Sequence, residues 1–419
     1  MKLAFISQPL GPISPSRESS SLGIWLIKVA QSLADSFSVT IYARRGKAQR
    51  DVESHGGVRY RRVPIFLDPW LVNYITKHPS LVGSELPVFT SKWYYRTYMA
   101  RVAKALQEDG ADIVFLFNFA QFVPIIKAYN PTTKIVLNMQ CEWLSQLDRN
   151  WVLDNIKNVD LIIGDSNYIT KKITARFPEL VSKCTTVYNG VDVNHFVPST
   201  VSQRGRGNVL FVGRVSPEKG VHVLVDAFQK VVQHNPQAQL DIVGPEWIAP
   251  LEFIVGLSGE PSLAELAQFY NGSYVDHLKR RAGDLGIAEH VRFVGGVEHH
   301  RLVEYYHNAD VVVNPSFSES FGMTLAEAMA CGVPVIGSRI GGMPEIIEEG
   351  KTGFLIQAGD VDALASAIGS LLSNDEVRVK MGKAARQCVV QVFSWEKITE
   401  SLLRSYEKID RRIGKAQEA

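Results

Sequence analysis

Short β-branched runs alternate along this chain with longer stretches in which apolar residues recur at helical spacing. In the first half, residues 3–7, 39–42, 113–117, 135–138 and 161–164 have the length and composition of buried strands. Between them, residues 22–34 put Leu22, Trp25, Leu26, Val29 and Leu33 on one helical face, and residues 94–106 repeat that pattern. The alternation stops at residues 198–207, PSTVSQRGRG, a polar stretch with the composition of a linker. It then restarts, with strands predicted at 209–213, 240–243, 291–294, 311–314 and 333–336 and a first helix at 221–233. Residues 247–272 interrupt the rhythm and read as an insertion. Residues 395–413 carry Leu402, Leu403, Tyr406 and Ile409 on one side and read as a terminal helix. Alternation of this kind predicts two successive α/β domains, each Rossmann-like around a parallel sheet. The expected limits are 1–198, a linker at 199–207, 208–394, and a helical segment 395–419 that packs back on the first domain.

Composition narrows the class without changing that picture. The 419 residues are 46% hydrophobic and 21% charged, which excludes a mainly disordered chain, a collagen-like chain and a disulfide scaffold. Lys+Arg 45 against Asp+Glu 43 gives no bulk charge for nucleic acid, and no nucleic-acid partner is expected. The opening residues have too short an apolar part for a signal peptide and read as a first strand. The run 114–126 is broken by Asn118, Gln121 and Pro124 and falls short of the roughly 20 residues a membrane span needs. Cys141, Cys184, Cys331 and Cys388 show no metal-ligand spacing. They read as reduced thiols, hence a cytoplasmic protein. The charge is uneven: residues 1–200 hold 23 Lys+Arg and 16 Asp+Glu, the remainder 22 and 27. The segment 60–98 mixes basic residues with Phe66, Trp70, Tyr74, Trp93, Tyr94 and Tyr95. That mixture suits peripheral contact with an anionic membrane, and equally a sugar-stacking surface or a hinge-side core.

Two stretches of the second half carry candidate chemistry. Gly213, Arg214, Val215, Ser216, Pro217, Glu218, Lys219 and Gly220 lie between a predicted strand and a helix. In an open parallel sheet, ligands bind beyond the carboxyl ends of strands. A loop there with a planar guanidinium, a point ammonium and a following helix amino-terminus suits phosphate oxygens. The second stretch runs from Ser316 through Glu319, Phe321, Gly322, Met323, Thr324 and Glu327 to Gly332. Its helix is predicted from Thr324, so Glu319 falls in the loop and Glu327 one turn in, among small apolar residues. A carboxylate in such surroundings is costly unless it accepts hydrogen bonds, which vicinal sugar hydroxyls would supply.

Asp360 and Asp362 match an Asp-x-Asp metal motif, but the helical run behind them reads as a capped helix start. His299, His300 and His307 lack metal-ligand spacing and read as lying on a surface helix. No Walker loop and no clear G-x-G-x-x-G follows the first strand.

Together these stretches resemble the retaining nucleotide-sugar glycosyltransferases of the GT-B fold, glycosyltransferase family four (glycosyl transferases group 1). The family's Glu-x7-Glu signature matches Glu319 and Glu327, and its Arg…Glu-Lys-Gly loop matches Arg214 to Gly220. The segments GVPVI from Gly332, GGMPE from Gly341 and GKTGFL from Gly350 match as well, as do Asn189, Gly190, Val191, Asp192 and Phe196. The resemblance implies two Rossmann-like domains facing across a cleft. It assigns Arg214 and Lys219 to the donor diphosphate, Glu319 to the donor sugar and Glu327 to the ribose. Backbone of Gly213, Phe321, Gly322, Met323 and Thr324 would grip sugar or phosphates, and Gly295 and Val297 would meet the base. Arg214, Lys219 and Glu319 would be the catalytic set. No metal or other cofactor is implied beyond the donor, a UDP-sugar on base rates. The acceptor would be a saccharide or a lipid-linked hydroxyl.

The first half departs from the family's pattern. Its Gly-Gly pair is absent, leaving Gly11 and Gly23 as candidates for close backbone approach. Asn118 and Gln140 stand where histidines are frequent, and either could still bond a hydroxyl. These departures leave two other readings open: a nucleotide-sugar 2-epimerase on the same fold, and a sugar-nucleotide-binding subunit without catalysis.

Overall fold

The computed structural model describes residues 1–15, 20–78, 87–199 and 207–410. Two compact units divide the chain: residues 1–188 together with the segment from Ile398 onward, and residues 189–397. The linker expected at 199–207 lies, apart from its two end residues, outside the described residues.

In the first unit the described strands are β1 (Lys2–Ile6), β2 (Ser38–Arg44), β3 (Val52–His55), β4 (Val58–Val63), β5 (Ile113–Phe117), β6 (Lys134–Met139), β7 (Leu161–Gly164) and β8 (Cys184–Thr186). They form one sheet in the order β3-β4-β2-β1-β5-β6-β7-β8. Only β3 runs antiparallel to its neighbour among these pairings. Every side chain of β5 is buried, as a parallel strand covered on both faces requires.

The second unit holds β9 (Asn208–Val212), β10 (Gln239–Val243), β11 (Val291–Gly295), β12 (Val311–Asn314), β13 (Val335–Ser338) and β14 (Gly353–Ile356). Their order is β11-β10-β9-β12-β13-β14, and all pairings are parallel. This is the doubly wound order, in which the winding reverses between the first and fourth strands. Here that point falls between β9 and β12, which pair at Val209 with Val311 and Leu210 with Val312. The helix Val221–His234 lays Val221, Leu224, Val225 and Phe228 into a core with Phe211, Leu240, Ile242 and Leu278. Each such side chain contributes about 1.5–3 kcal/mol on full burial.

The expected α/β class, two parallel-sheet domains, is the one observed. Details differ for physical reasons. The strand expected at 333–336 begins at Val335, because Pro334 has no N–H for the ladder; its carbonyl accepts from the Val312 N–H instead. The hairpin β3–β4 was not expected, since β3 is four mostly exposed residues with no apolar period. The insertion 247–272 folds into two short helices, Leu251–Ile254 and Pro261–Ala264, and a turn at Glu265–Tyr270. The terminal helix is Trp395–Glu407, and its expected extension past residue 410 lies outside the described residues.

Candidate active site

Beyond β9 the chain forms a tight turn, Pro217–Lys219, that ends at Gly220 with φ 68°. A β-carbon at Gly220 would stand 2.1 Å from the Pro315 carbonyl oxygen, so only glycine lets this loop touch the one beyond β12. The two are tied further by the Phe317 N–H, which donates to the Glu218 carbonyl at 2.8 Å. Lys219 and Glu319, a hundred positions apart, therefore meet at 2.8 Å between Nζ and Oε2. The Asn314 side chain approaches the same oxygen at 3.5 Å. The two ionic side chains are only 15% and 17% exposed. Burial would raise the Glu319 carboxyl, yet the ammonium of Lys219, with Asn314 and Arg214, outweighs it and holds it below the ordinary carboxylate value.

Arg214 stands at the mouth of the same turn. Its Nη2 lies 3.3 Å from Glu218 Oε1, and its guanidinium sits 4.7 Å from the centroid of the Trp247 ring. The Glu218 Oε1 also accepts from the Ser216 hydroxyl at 2.7 Å. Glu218 is buried, so Arg214 is aimed by a fixed carboxylate on one side and an indole face on the other.

Glu319 is propped from behind. Gly341 has φ 58°, and a β-carbon there would fall 1.6 Å from the Glu319 carbonyl oxygen. The next residue, Gly342, donates its N–H to that oxygen at 3.3 Å. The helix Met323–Ala330 follows Gly322, whose carbonyl accepts from Leu325 and Ala326. The amides of Met323 and Thr324 open this helix and have no carbonyl one turn earlier. Phe321 anchors the approach, buried edge-on against Phe393 with ring centres 5.6 Å apart.

Glu327, also buried, has both carboxylate oxygens engaged. Its Oε1 meets His299 Nε2 at 2.8 Å, and its Oε2 accepts from the Tyr306 hydroxyl at 2.8 Å. Burial and the adjacent Glu327 push the Tyr306 hydroxyl well above its ordinary pKa, so it remains a donor. Phe196 packs edge-on against both rings, at 5.2 and 5.8 Å. The hydrogen bonds that burial demands thus come from this chain itself.

The structure brings Arg214, Lys219 and Glu319 together around Gly213 and Gly220. Gly295 and Val297 lie at and just past the end of β11, two strands from β9 in the sheet, and the Gly295 carbonyl accepts at 2.8 Å from the N–H of Gly244, which in turn abuts Gly213. Gly295 has φ 80° and open space where a side chain would be. In the first unit Asn118 and Gln140 do meet, beyond β5 and β6. The Gln140 N–H donates to Asn118 Oδ1 at 2.7 Å, and its side chain to Asn138 Oδ1 at 3.1 Å. Asn118 has φ 60°, a conformation that asparagine tolerates better than most. A β-carbon at Gly11 would meet nothing within 4 Å, whereas the Gly23 N–H caps its own helix on Ser20 Oγ.

His299, expected on a surface helix, is instead largely buried on Glu327; its neighbour His300 is exposed, and His307 bonds the Val197 carbonyl. Tyr306 and Trp247 take part in the site although no spacing singled them out, and Glu218, matched as part of the Arg…Glu-Lys-Gly loop, proves to be the residue that aims Arg214. Asp360 caps the helix Val361–Ser373 through the Ala363 N–H at 2.9 Å, and Asp362 pairs with Lys230. Among the described residues no three metal-binding side chains are grouped.

Residues 196–388 match the protein family described as "Glycosyl transferases group 1". Spore coat protein SA of Bacillus subtilis (strain 168) is 29% identical across 97% of this chain and 100% of its own length. The D-inositol 3-phosphate glycosyltransferase of Corynebacterium jeikeium (strain K411) is 31% identical over 61% of this chain and 58% of that protein. Among solved structures, Anabaena Alr3699/HepE in complex with UDP-glucose superposes with a TM-score of 0.69 at 20% identity, covering 97% of this chain and 99% of that one. The match to the glycosyl transferases group 1 model thus falls within the second unit, and the two parallel-sheet α/β units share the fold of GT-B glycosyltransferase structures.

Proposed function

We propose that this protein is a retaining hexosyltransferase that moves a hexose from UDP-hexose to a hydroxyl of a saccharide or lipid-linked acceptor. The observation that carries the reading is the meeting of Lys219 and Glu319, with Arg214 beside them, beyond the carboxyl ends of β9 and β12. Two cations and a carboxylate at that point suit a negatively charged linker joined to a hydroxyl-rich ring. That Alr3699/HepE was solved with UDP-glucose supports the choice of donor.

In this reading Arg214 and Lys219 straddle the diphosphate, and the opening amides of the helix Met323–Ala330 add donors at its positive end. Glu319 turns from Lys219 toward sugar hydroxyls. Glu327, held by His299 and Tyr306, faces the ribose, and Gly295 and Val297 border the base. The anomeric carbon–oxygen bond to phosphate breaks, and the acceptor oxygen bonds that carbon on the same face. The acceptor's proton passes to the departing phosphate oxygen. Negative charge grows on that phosphate as the bond breaks, and positioned cations stabilise it most at that moment. Gln140 and Asn118, as amides, orient hydroxyls without taking protons, and Gly11 and Gly23 border the acceptor.

A melting-temperature panel of UDP-, GDP- and ADP-sugars tests the donor. A ligand at 100 times its dissociation constant stabilises by about 2.7 kcal/mol, so UDP-hexoses should raise the transition most. No shift with any sugar nucleotide would overturn the reading. Product analysis without acceptor separates transfer from epimerisation.

A further inference from the structure

The aromatic, basic segment of the first unit is sorted by the fold into two populations. Tyr94, Tyr95 and Tyr98 are buried. Phe66, Leu67, Trp70, Tyr74 and Trp93 are not: the first three are 68%, 64% and 65% exposed. The helix Asp68–Lys77 turns Ile75 inward. Its outer side carries Trp70 stacked on Tyr74 at 5.6 Å, and the exposed Phe66 and Leu67 lie just before the helix and lead into it. A helix apolar on both sides is ordinarily covered on both.

A second element completes the patch. Asp68 accepts from the Thr97 N–H at 2.9 Å and the Tyr98 N–H at 3.1 Å, pinning this helix to the start of the helix Arg96–Asp109. Just before that start Tyr95 adopts φ 48°, a left-handed conformation uncommon for a bulky residue. The bend puts Tyr94 and Tyr95 in the core while Lys92, Trp93 and Arg96 stay outside. Cations then ring the apolar surface. Arg101 lies 4.9 Å from the Phe66 ring centre, and Lys92 and Arg96 lie 5.4 and 5.8 Å from that of Trp93. Lys77 adds a fourth exposed cation. Across residues 65–78 and 87–101 the only acidic side chain is the buried Asp68.

We propose that this patch is a docking surface for an anionic lipid bilayer, with Phe66, Leu67, Trp70 and Trp93 entering the headgroup layer and Lys77, Lys92, Arg96 and Arg101 pairing with lipid phosphates. Exposed aromatic and aliphatic side chains ringed by cations suit that layer, where indoles lie between water and acyl chains. A neutral saccharide would use the rings and leave the four cations idle. A second copy of the chain would bring like charge against like. This inference is independent of the donor site.

The test is flotation of the full chain with vesicles of phosphatidylcholine, with and without phosphatidylglycerol. Retention is expected on the anionic vesicles and should weaken as salt rises. Lys92→Glu with Arg96→Glu should lower partition by at least about tenfold, each cation near such a surface being worth about fivefold. Phe66→Ser with Trp70→Ser should abolish retention while the melting temperature stays within a few degrees. Brominated acyl chains should quench the wild-type tryptophan emission, and less so in Trp70→Ser. Absence of retention, or retention indifferent to both pairs of substitutions, overturns the proposal. So does a concentration-dependent dimer that Trp70→Ser dissolves, or glycan binding in place of vesicle binding.

Discussion

Lys219 and Glu319 illustrate how one side chain's value depends on its partner. Replacing Lys219 by alanine leaves a mostly buried carboxylate without its counter-ion, which disfavours the folded state modestly and the reaction far more. Glycosyl transfer should fall by at least about a hundredfold in Lys219→Ala while circular dichroism remains that of the wild type; turnover at the native rate would remove the phosphate role. Tyr306→Phe deletes a donor to Glu327 and leaves the ring in place, so Glu327 gains freedom without a cavity. The apparent donor constant should rise several-fold with turnover little changed, as saturation kinetics would show. His222 belongs to stability instead. Burial, with His277 nearby, outweighs Asp226 and lowers its pKa to about 4, while in the unfolded chain it titrates near 6.5. Between these values the unfolded state binds the extra proton, so stability falls as pH drops through that window and is fully present above it. The loss amounts to about 3 kcal/mol at the acid end. Melting curves of wild type and His222→Gln should converge toward pH 4; parallel curves would contradict the assignment.

At the level of elements, the glycines between strand and helix decide whether the loops can meet. Gly341→Ala would drive a β-carbon onto the Glu319 backbone, and no flexible side chain can yield there. Gly350, at φ 72°, has open space around the same position. The control Gly350→Ala should therefore destabilise by only about 1–2 kcal/mol, the conformational penalty alone, and Gly341→Ala by clearly more, with transfer lost. Chemical denaturation of the two variants decides it. The elements themselves were largely legible, because buried parallel strands such as β5 and β12 are continuous apolar runs and their helices keep strict period. What escaped was short, exposed or masked by charge: β3 with its polar VESH sequence, β8 with three residues, β14 with four, and β4, whose VRYRRV sequence carries three arginines although most of it is buried. Within the site, spacing revealed the charged residues of two loops. It could not reveal His299 or Tyr306, whose role exists only because the helix Leu302–Asn308 and the helix Met323–Ala330 bring them to Glu327. A histidine beside a second histidine reads from sequence as solvent-facing, and only the turn at His299–Arg301 separates the two.

For the whole molecule, strand order matters more than any single contact. Because β9 and β12 are neighbours, the chain between them, including the excursion at 247–272, can vary without parting the two loops. The excursion touches the site through Trp247, beside Arg214, and through the turn Glu265–Tyr270, which packs on the turn Pro217–Lys219, so shortening it between those two should preserve the sheet. Deleting residues 251–264 is expected to leave the circular dichroism spectrum nearly intact. The resting Lys219–Glu319 pair has a consequence for selectivity. Before a donor arrives, a cradle of this kind presents no bare ammonium to passing ions. Inorganic phosphate or sulfate must displace an acid already seated 2.8 Å away, and a single small anion gains little by doing so. On the proposed donor reading, a guest that reaches Arg214 as well recovers that loss with its second charge, so the closed pair would favour a diphosphate over any single small anion.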